Sequence, residues 1–160
     1  GADCDAPENK KRMEQLGETG AYTITEKMRQ KMADFWGGYA TEEENRGEIK
    51  RLFDQTGYLI DTHTGVASGV YQKYVKETND LTPTVIASTA SPYKFSHSVM
   101  AAVLGNVDEK DEFASIDQMN KLSGVKIPRA VEEIRNAEIR HRRECDRDEM
   151  EAVVAEILGL

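Results

Sequence analysis

The stretch that decides the fold runs from residue 84 to residue 95 and reads Thr84-Val85-Ile86-Ala87-Ser88-Thr89-Ala90-Ser91-Pro92-Tyr93-Lys94-Phe95. Its first four residues are β-prone and follow a proline, a pattern that predicts a short buried strand. Open α/β sheets bind ligands in the crevice beyond the carboxyl ends of their strands. We therefore expect Ser88 and Thr89 to present their hydroxyls to a ligand.

The second half of this stretch predicts a turn into a helix. Pro92 keeps Ser91 extended, and a helix is expected over residues 96–104, with a partially positive N-terminus that favours anions. The alternative is an ordinary turn whose hydroxyls only cap the local backbone. Residue types alone favour that alternative, because Ser and Thr are common in turns for local reasons.

Two segments of the sequence resemble threonine synthases of the bacterial and fungal type. Residues 88–95 resemble that family's Ser/Gly-Thr-Ala-His-Pro-Ala-Lys-Phe segment. Residues 56–67, Thr-Gly-Tyr-Leu-Ile-Asp-Thr-His-Thr-Gly-Val-Ala, resemble its Gly-Tyr-x-x-Asp/Glu-Pro-His-x-Ala-Val-Ala stretch. The two segments follow each other in the family's order. With residues 12–16, the central helices and residues 149–156, the resemblance covers nearly all of the chain and about the last third of a family member.

The resemblance implies a helix-rich α/β fold, namely the C-terminal portion of a fold type II pyridoxal-phosphate enzyme with a small sheet. It implies a lyase of threonine biosynthesis that converts O-phosphohomoserine and water to threonine and phosphate. Residues 1–160 are expected to form a single C-terminal fragment, in keeping with a chain that opens without an initiator methionine. The family's Schiff-base lysine and glycine-rich phosphate loop belong to an upstream portion, which nothing here resembles. We therefore expect the isolated chain to be inactive, with no catalytic residue of its own and with the N-terminal portion as its partner.

Four residues are candidates for the site. By the resemblance, Thr89, with Ser88 beside it, matches the hydroxyl that meets the pyridine nitrogen of pyridoxal phosphate in the complete enzyme. His63, at the N-terminus of the helix after Asp61, is expected to border a substrate anion. Lys94 matches the family's Lys-Phe pair, and its ammonium is expected to hold an anionic substrate or a nearby carboxylate. A satisfied structural histidine and a solvent-facing or ion-paired lysine remain the alternatives for these two residues.

The chain departs from the family pattern at two positions beside these residues. Thr62 stands where proline is usual, and Ser91 stands where histidine is usual. Without the proline, the first turn of the helix is less rigidly fixed. The serine at position 91 removes an imidazole. Neighbouring contacts are therefore not expected to be identical to those of the family.

Helix signals dominate the rest of the sequence. Asp5 with Pro7 predicts a first helix that Gly17 can close, and Thr23 with Glu26 and Thr41 with Glu44 are predicted capping boxes. Gly57 and Gly124 are predicted to end helices. Further helices are predicted from Asp61 or Thr62 to residue 77, over the apolar repeat of residues 113–122, and from Asp146 to Leu158. Pro128 is expected to start another element.

Two other patterns predict packing. Met28, Met32, Phe35 and Trp36 are expected in the core, as are Ile49, Leu52 and Phe53. The helix after Asp61 begins with the small residues Gly65, Ala67, Ser68 and Gly69. Because glycine inside a helix costs stability, this run predicts that another element approaches the backbone closely.

Composition and charge exclude several classes of protein. A formal net charge of -8 with 31% charged residues argues against nucleic acid as the main partner, since phosphate binding needs a positive surface. The only basic cluster, residues 140–143, has acidic neighbours and is interpreted as a solvated edge. No apolar stretch reaches the length of a membrane span, and residues 1–5 do not resemble a signal peptide.

The cysteines and histidines indicate compartment and chemistry. Cys4 and Cys145 are expected to be free thiols in the cytoplasm. The three histidines, His63, His97 and His141, lie too far apart to predict a metal site. Two alternatives stay open: another fold type II pyridoxal-phosphate enzyme acting on serine or cysteine derivatives, and a stand-alone interaction module.

Overall fold

A computed structural model describes residues 5–105 and 111–160 of this chain, so Cys4 lies outside the described residues. The described residues form α1 (Ala6–Thr19), α2 (Glu26–Lys31), α3 (Glu42–Thr56), α4 (Thr62–Thr78), α5 (Ser96–Leu104), α6 (Glu112–Ser123), α7 (Arg129–Arg135) and α8 (Met150–Leu158). Short 3-10 turns, Pro92–Phe95 and Arg147–Glu149, precede α5 and α8. The helix-rich part of the fold prediction is confirmed. None of the described helices is long and apolar enough to cross a membrane.

The core lies where α3 packs on α4 and α5, and α5 packs on α6. Ile49 of α3, Val99 and Met100 of α5, and Met119 of α6 are almost completely buried. Tyr93 joins this core from the 3-10 turn, and its hydroxyl donates to the carbonyl of Val125 after α6. By contrast, α2, α7 and α8 contain no buried residue. The core is therefore built by the four central helices, α3 to α6, together with the turn that precedes α5.

Most predicted helix boundaries are confirmed, because they depend on local hydrogen bonds. Thr41 and Glu44 form a reciprocal capping box at the start of α3. Gly57 and Gly124 take left-handed φ values of 70° and 68° after α3 and α6. Two cap predictions are wrong: Thr25 rather than Thr23 caps α2, and Gly20 rather than Gly17 closes α1. Thr25 directly precedes the first residue of α2, and Gly20 directly follows the last residue of α1.

The prediction that the residues after α2 are core residues is wrong. Helix α2 ends at Lys31, so Met32, Phe35 and Trp36 do not share one helical face. Phe35 is 76% exposed, and Met32 and Trp36 are also exposed. The Trp36 ring packs edge-on against Tyr74 of α4, with ring centroids 5.5 Å apart. Trp36 therefore packs on the surface of α4, and Met32 and Phe35 remain exposed.

The expectation of a buried strand at residues 84–87 is also wrong for this structure. No strand occurs in the described residues, and Val85 is 95% exposed. An extended segment becomes a strand only when a neighbour pairs with its N–H and C=O groups. No other segment of residues 5–105 and 111–160 supplies that pairing, so the β-prone run remains unpaired.

The close approach predicted from the small residues of α4 is confirmed at Gly65. A Cβ added to Gly65 would lie 2.9 Å from Cγ1 of Ile49 and would overlap Oδ1 of Asn45, both on α3. A Cβ at Gly69 would be 3.9 Å from the nearest atom of Glu48, which is ordinary van der Waals contact. Gly65 is therefore the residue that lets α4 pack this closely on α3.

We expect Gly65→Ala to destabilise the chain by about 1–3 kcal/mol, because the added methyl overpacks the α3–α4 contact. The matched control is Gly47→Ala on α3, where an added Cβ would meet nothing within 4 Å. That substitution removes a helix-interior glycine and is expected to stabilise by about 0.5–1 kcal/mol. Urea unfolding monitored by circular dichroism measures both changes. If both variants were stabilised equally, Gly65 would not be required by the packing.

Candidate functional site

Asp61 is the centre of the candidate site. It precedes α4, and its side chain is completely buried. One carboxylate oxygen accepts from the backbone N–H of His63 at 2.9 Å, and the other accepts from the hydroxyl of Thr64. This carboxylate therefore caps α4 and fixes the first two side chains that follow Thr62.

The His63 ring is oriented by the same carboxylate. Its Nδ1 lies 3.1 Å from Oδ1 of Asp61, and the ring packs against Phe95 at a tilt of 54°, with ring centroids 5.0 Å apart. An ionised carboxylate only accepts hydrogen bonds, so the ring hydrogen resides on Nδ1. Nε2 makes no hydrogen bond within the described part of the chain, and 60% of the side chain is exposed. Nε2 is therefore the atom that can meet a ligand.

The segment of residues 88–95 is joined to this group through Thr64. The Oγ1 atom of Thr64 and Oγ of Ser88 are 3.1 Å apart. Because Thr64 gives its hydrogen to Asp61, the Ser88 hydroxyl is the donor in this second contact. The structure thus links Ser88, through Thr64, to the same buried carboxylate that holds His63.

The other two predicted site residues lie at the edge of this group. Thr89 is exposed, and its hydroxyl makes no hydrogen bond to any described residue. Lys94 is exposed and makes no ion pair there; its Nζ lies 5.4 Å from the ring centroid of Phe95. Phe95 therefore connects Lys94 to His63. The assignments of Ser88 and Thr89 to a cofactor and of His63 and Lys94 to a substrate stay predictions.

Sequence reasoning identified Asp61 only as one of two possible helix caps. A capping carboxylate lies beside the side chains of the next two or three residues. The order Asp61-Thr62-His63-Thr64 could therefore have predicted that the Asp61 carboxylate contacts the His63 ring and the Thr64 hydroxyl as well as capping the helix. No group of three or more His, Cys, Asp or Glu is placed to hold a metal ion in the described ranges.

The electrostatics of Asp61 are set by two opposing effects. Burial acts most strongly and raises the pKa of its carboxyl. Hydrogen bonds from the Thr64 hydroxyl and from the backbone and ring of His63 together outweigh burial and leave the pKa below its ordinary value. A carboxyl with a lowered folded-state pKa stabilises the fold above its unfolded pKa of about 4, and this contribution is lost as pH falls through the folded value.

We expect Asp61→Asn to lower the free energy of unfolding at pH 7 by about 1–3 kcal/mol, because a buried charged acceptor of several hydrogen bonds is lost. The deficit should shrink as pH falls below about 4, where the wild-type carboxylate becomes protonated. Urea unfolding at pH 7 and pH 3 measures this. The control is Asp5→Asn at the exposed start of α1, with an expected cost below about 1 kcal/mol at pH 7. A deficit that stays constant down to pH 3 would contradict the role of the charge.

Comparison with known proteins gives the context of this arrangement. Residues 64–145, just over half of the chain, match the family described as "Threonine synthase, C-terminal". The match includes the hydroxyl segment, Phe95 and helices α5 to α7.

Relatives and a solved structure agree with this match. Threonine synthase-like 1 of Homo sapiens is 32% identical over 80 residues, and the protein of the same name from Macaca fascicularis is 31% identical over 80 residues. Each alignment covers 50% of this chain and 10% of the relative, so the chain matches about a tenth of these proteins.

The crystal structure of a PLP-bound threonine synthase from Brucella melitensis matches with a TM-score of 0.50 and 28% identity. That match covers 76% of this chain and 25% of the other, so this chain spans a quarter of that structure. The fold, the hydroxyl segment and the family match agree: this chain belongs to the threonine synthase C-terminal family.

Proposed function

We propose that this chain is the C-terminal part of a threonine synthase that converts O-phosphohomoserine and water to threonine and phosphate. The family match across residues 64–145 is the observation that carries the proposal. The likeness to a PLP-bound threonine synthase supports pyridoxal phosphate as the cofactor of the complete enzyme. We also propose that residues 84–87, which are extended here, join a small sheet in that enzyme.

The residues of this chain fit the cofactor at one point. The exposed Thr89 hydroxyl has no hydrogen-bond partner in the described residues, so it is free to donate to a pyridine nitrogen. When bound, pyridoxal phosphate supplies the electron sink for chemistry at the amino-acid carbons. A hydroxyl partner stabilises a protonated ring nitrogen less than a carboxylate does. Thr89 therefore tunes the strength of that sink, and Ser88 holds the segment through Thr64.

His63 and Lys94 are proposed to face the substrate. The Nδ1–H of His63 is engaged by Asp61, so Nε2 meets the substrate as an acceptor in the neutral ring and as a donor in the protonated ring. The ammonium of Lys94 attracts an anionic group such as a phosphate or a carboxylate. Asp61 acts as a positioning residue, since it holds the His63 ring without meeting the substrate.

The proposal is tested on the complete coding frame that contains this chain, assayed for phosphate release from O-phosphohomoserine. Thr89→Val is expected to lower kcat by up to about tenfold, because a hydrogen bond between neutral groups contributes about 0.5–1.5 kcal/mol. The matched control is Thr84→Val, the same chemical change in the exposed extended segment. It is expected to leave kcat unchanged.

The 160-residue chain alone is expected to release no phosphate and to bind no cofactor covalently. We expect the complete enzyme to act in the cytoplasm, an expectation that rests on the cysteine usage. Phosphate release by the purified chain alone, abolished by Thr89→Val, would overturn the assignment as a part of the enzyme. Activity of the complete frame on serine or cysteine derivatives, without phosphate release, would identify a different enzyme of the same fold.

A further inference from the structure

Tyr93 links the turn before α5 to the end of α6. Its side chain is only 4% exposed and lies in the hydrophobic core. Its hydroxyl donates to the carbonyl of Val125, which directly follows the Gly124 cap of α6. Burial raises the pKa of this hydroxyl above its ordinary value, so the hydroxyl stays protonated and remains a donor at neutral pH. One buried hydrogen bond thus joins two segments that are 32 residues apart in sequence.

The Val125 carbonyl has a second donor besides Tyr93. The side-chain amide of Asn120, also at the end of α6, donates to the same oxygen at 2.9 Å. A phenylalanine at position 93 would fill the same space in the core without burying a hydroxyl, whose loss of hydration is a cost to folding. The family segment that residues 88–95 resemble has alanine at this position, and alanine can form no such bond. Neither core packing nor the carbonyl's need for a donor therefore explains the Tyr93 hydroxyl.

The turn of residues 92–95 passes the position of Tyr93 on to the two residues that follow it. The Ser91 hydroxyl oxygen accepts from the backbone N–H of Tyr93 at 3.3 Å. The turn closes with a bond of 3.0 Å from the backbone N–H of Lys94 to the carbonyl of Ser91. A 3-10 turn has three residues per turn, so consecutive side chains project about 120° apart. A Tyr93 side chain that is held at α6 therefore sets the directions of Lys94 and Phe95.

Phe95 carries this constraint to the candidate site. Its ring packs against the ring of His63, with centroids 5.0 Å apart, and Nζ of Lys94 lies 5.4 Å from its centroid. The His63 ring is thus held at Nδ1 by Asp61 and packed against Phe95. Both residues that are proposed to face the substrate therefore lie beside a phenyl ring whose position depends on Tyr93.

We propose that Tyr93 is a positioning residue for substrate binding. The hydrogen bond from its hydroxyl fixes the turn that places Lys94 and Phe95. Phe95 in turn fixes the orientation of the His63 ring. This inference rests on the proposed function, because it takes His63 and Lys94 as the residues that face the substrate. The Tyr93 hydroxyl itself meets neither substrate nor cofactor, since it is engaged in the core.

The first test is Tyr93→Phe in the isotope-labelled 160-residue chain, studied by NMR without pyridoxal phosphate. We expect the chain to stay folded, because the ring is retained and the Val125 carbonyl keeps its Asn120 donor. The nuclear Overhauser cross-peaks between the His63 and Phe95 rings are expected to weaken at least twofold. The matched control is Tyr22→Phe, at an exposed tyrosine whose hydroxyl bonds to no described residue, and it should leave these cross-peaks unchanged.

The second test places the same two variants in the complete enzyme. Tyr93→Phe is expected to raise the KM for O-phosphohomoserine about three- to tenfold, the range expected for the loss of one neutral hydrogen bond. We expect kcat to change less than about twofold and the absorption spectrum of bound pyridoxal phosphate to stay unchanged, because the contact of Ser88 with Thr64 remains. Tyr22→Phe should change none of these quantities.

A purely structural role for Tyr93 predicts a different result. The proposal is overturned if Tyr93→Phe lowers only the melting temperature while the ring cross-peaks and KM keep their wild-type values. It is also overturned if the variant does not fold. Absence of phosphate release by the wild-type complete enzyme would instead contradict the proposed function. The ring cross-peaks of the isolated chain would then still decide whether Tyr93 positions His63.

Discussion

The buried carboxylate of Asp61 is the interaction on which the rest of the candidate site depends. A buried charge is tolerated only when hydrogen bonds replace its lost hydration. Here those bonds come from the N–H and ring of His63 and from the hydroxyl of Thr64. The requirement to satisfy one charge therefore fixes the start of α4, the orientation of an imidazole and, through Thr64, the position of Ser88.

The contact between α3 and α4 is the second constraint. Gly65 lets the helices approach, and the buried carboxylate of Glu48 on α3 joins them by accepting a 2.6 Å bond from Ser68 of α4. Arg51, also on α3, donates a second 2.6 Å bond to the same carboxylate. These bonds keep the pKa of Glu48 below its ordinary value, with the Arg51 hydrogen bond as the main cause and burial opposing it. The α3 face that carries Asn45 and Arg46 is thereby held beside the start of α4. The packing of this helix pair therefore supports the Asp61 group.

The segment between α4 and α5 shows how the hydroxyls are delivered. Asp80 accepts hydrogen bonds from the Tyr74 hydroxyl and from the backbone N–H and hydroxyl of Thr82. These bonds lower the pKa of the Asp80 carboxyl to about 2, and the bond from the Thr82 hydroxyl contributes most. The chain then runs extended to Ser88, and Tyr93 anchors it in the core. Ser88 and Thr89 are therefore held between two fixed points rather than by a sheet.

The sequence by itself determined the local features: the Thr41–Glu44 capping box, the helix ends at Gly57 and Gly124, the helix from residue 96 to 104, and the family motifs. Each depends on hydrogen bonds or backbone angles within a few residues, so the residue types suffice. Only the tertiary structure decided which side chains are buried and which meet. Phe35 and Val85 are apolar yet exposed, because nothing in the described residues packs on one or pairs with the other. Asp61, Ser88 and His63 are linked because Thr64 at the start of α4 contacts both Asp61 and Ser88, and no local pattern encodes the contact with Ser88.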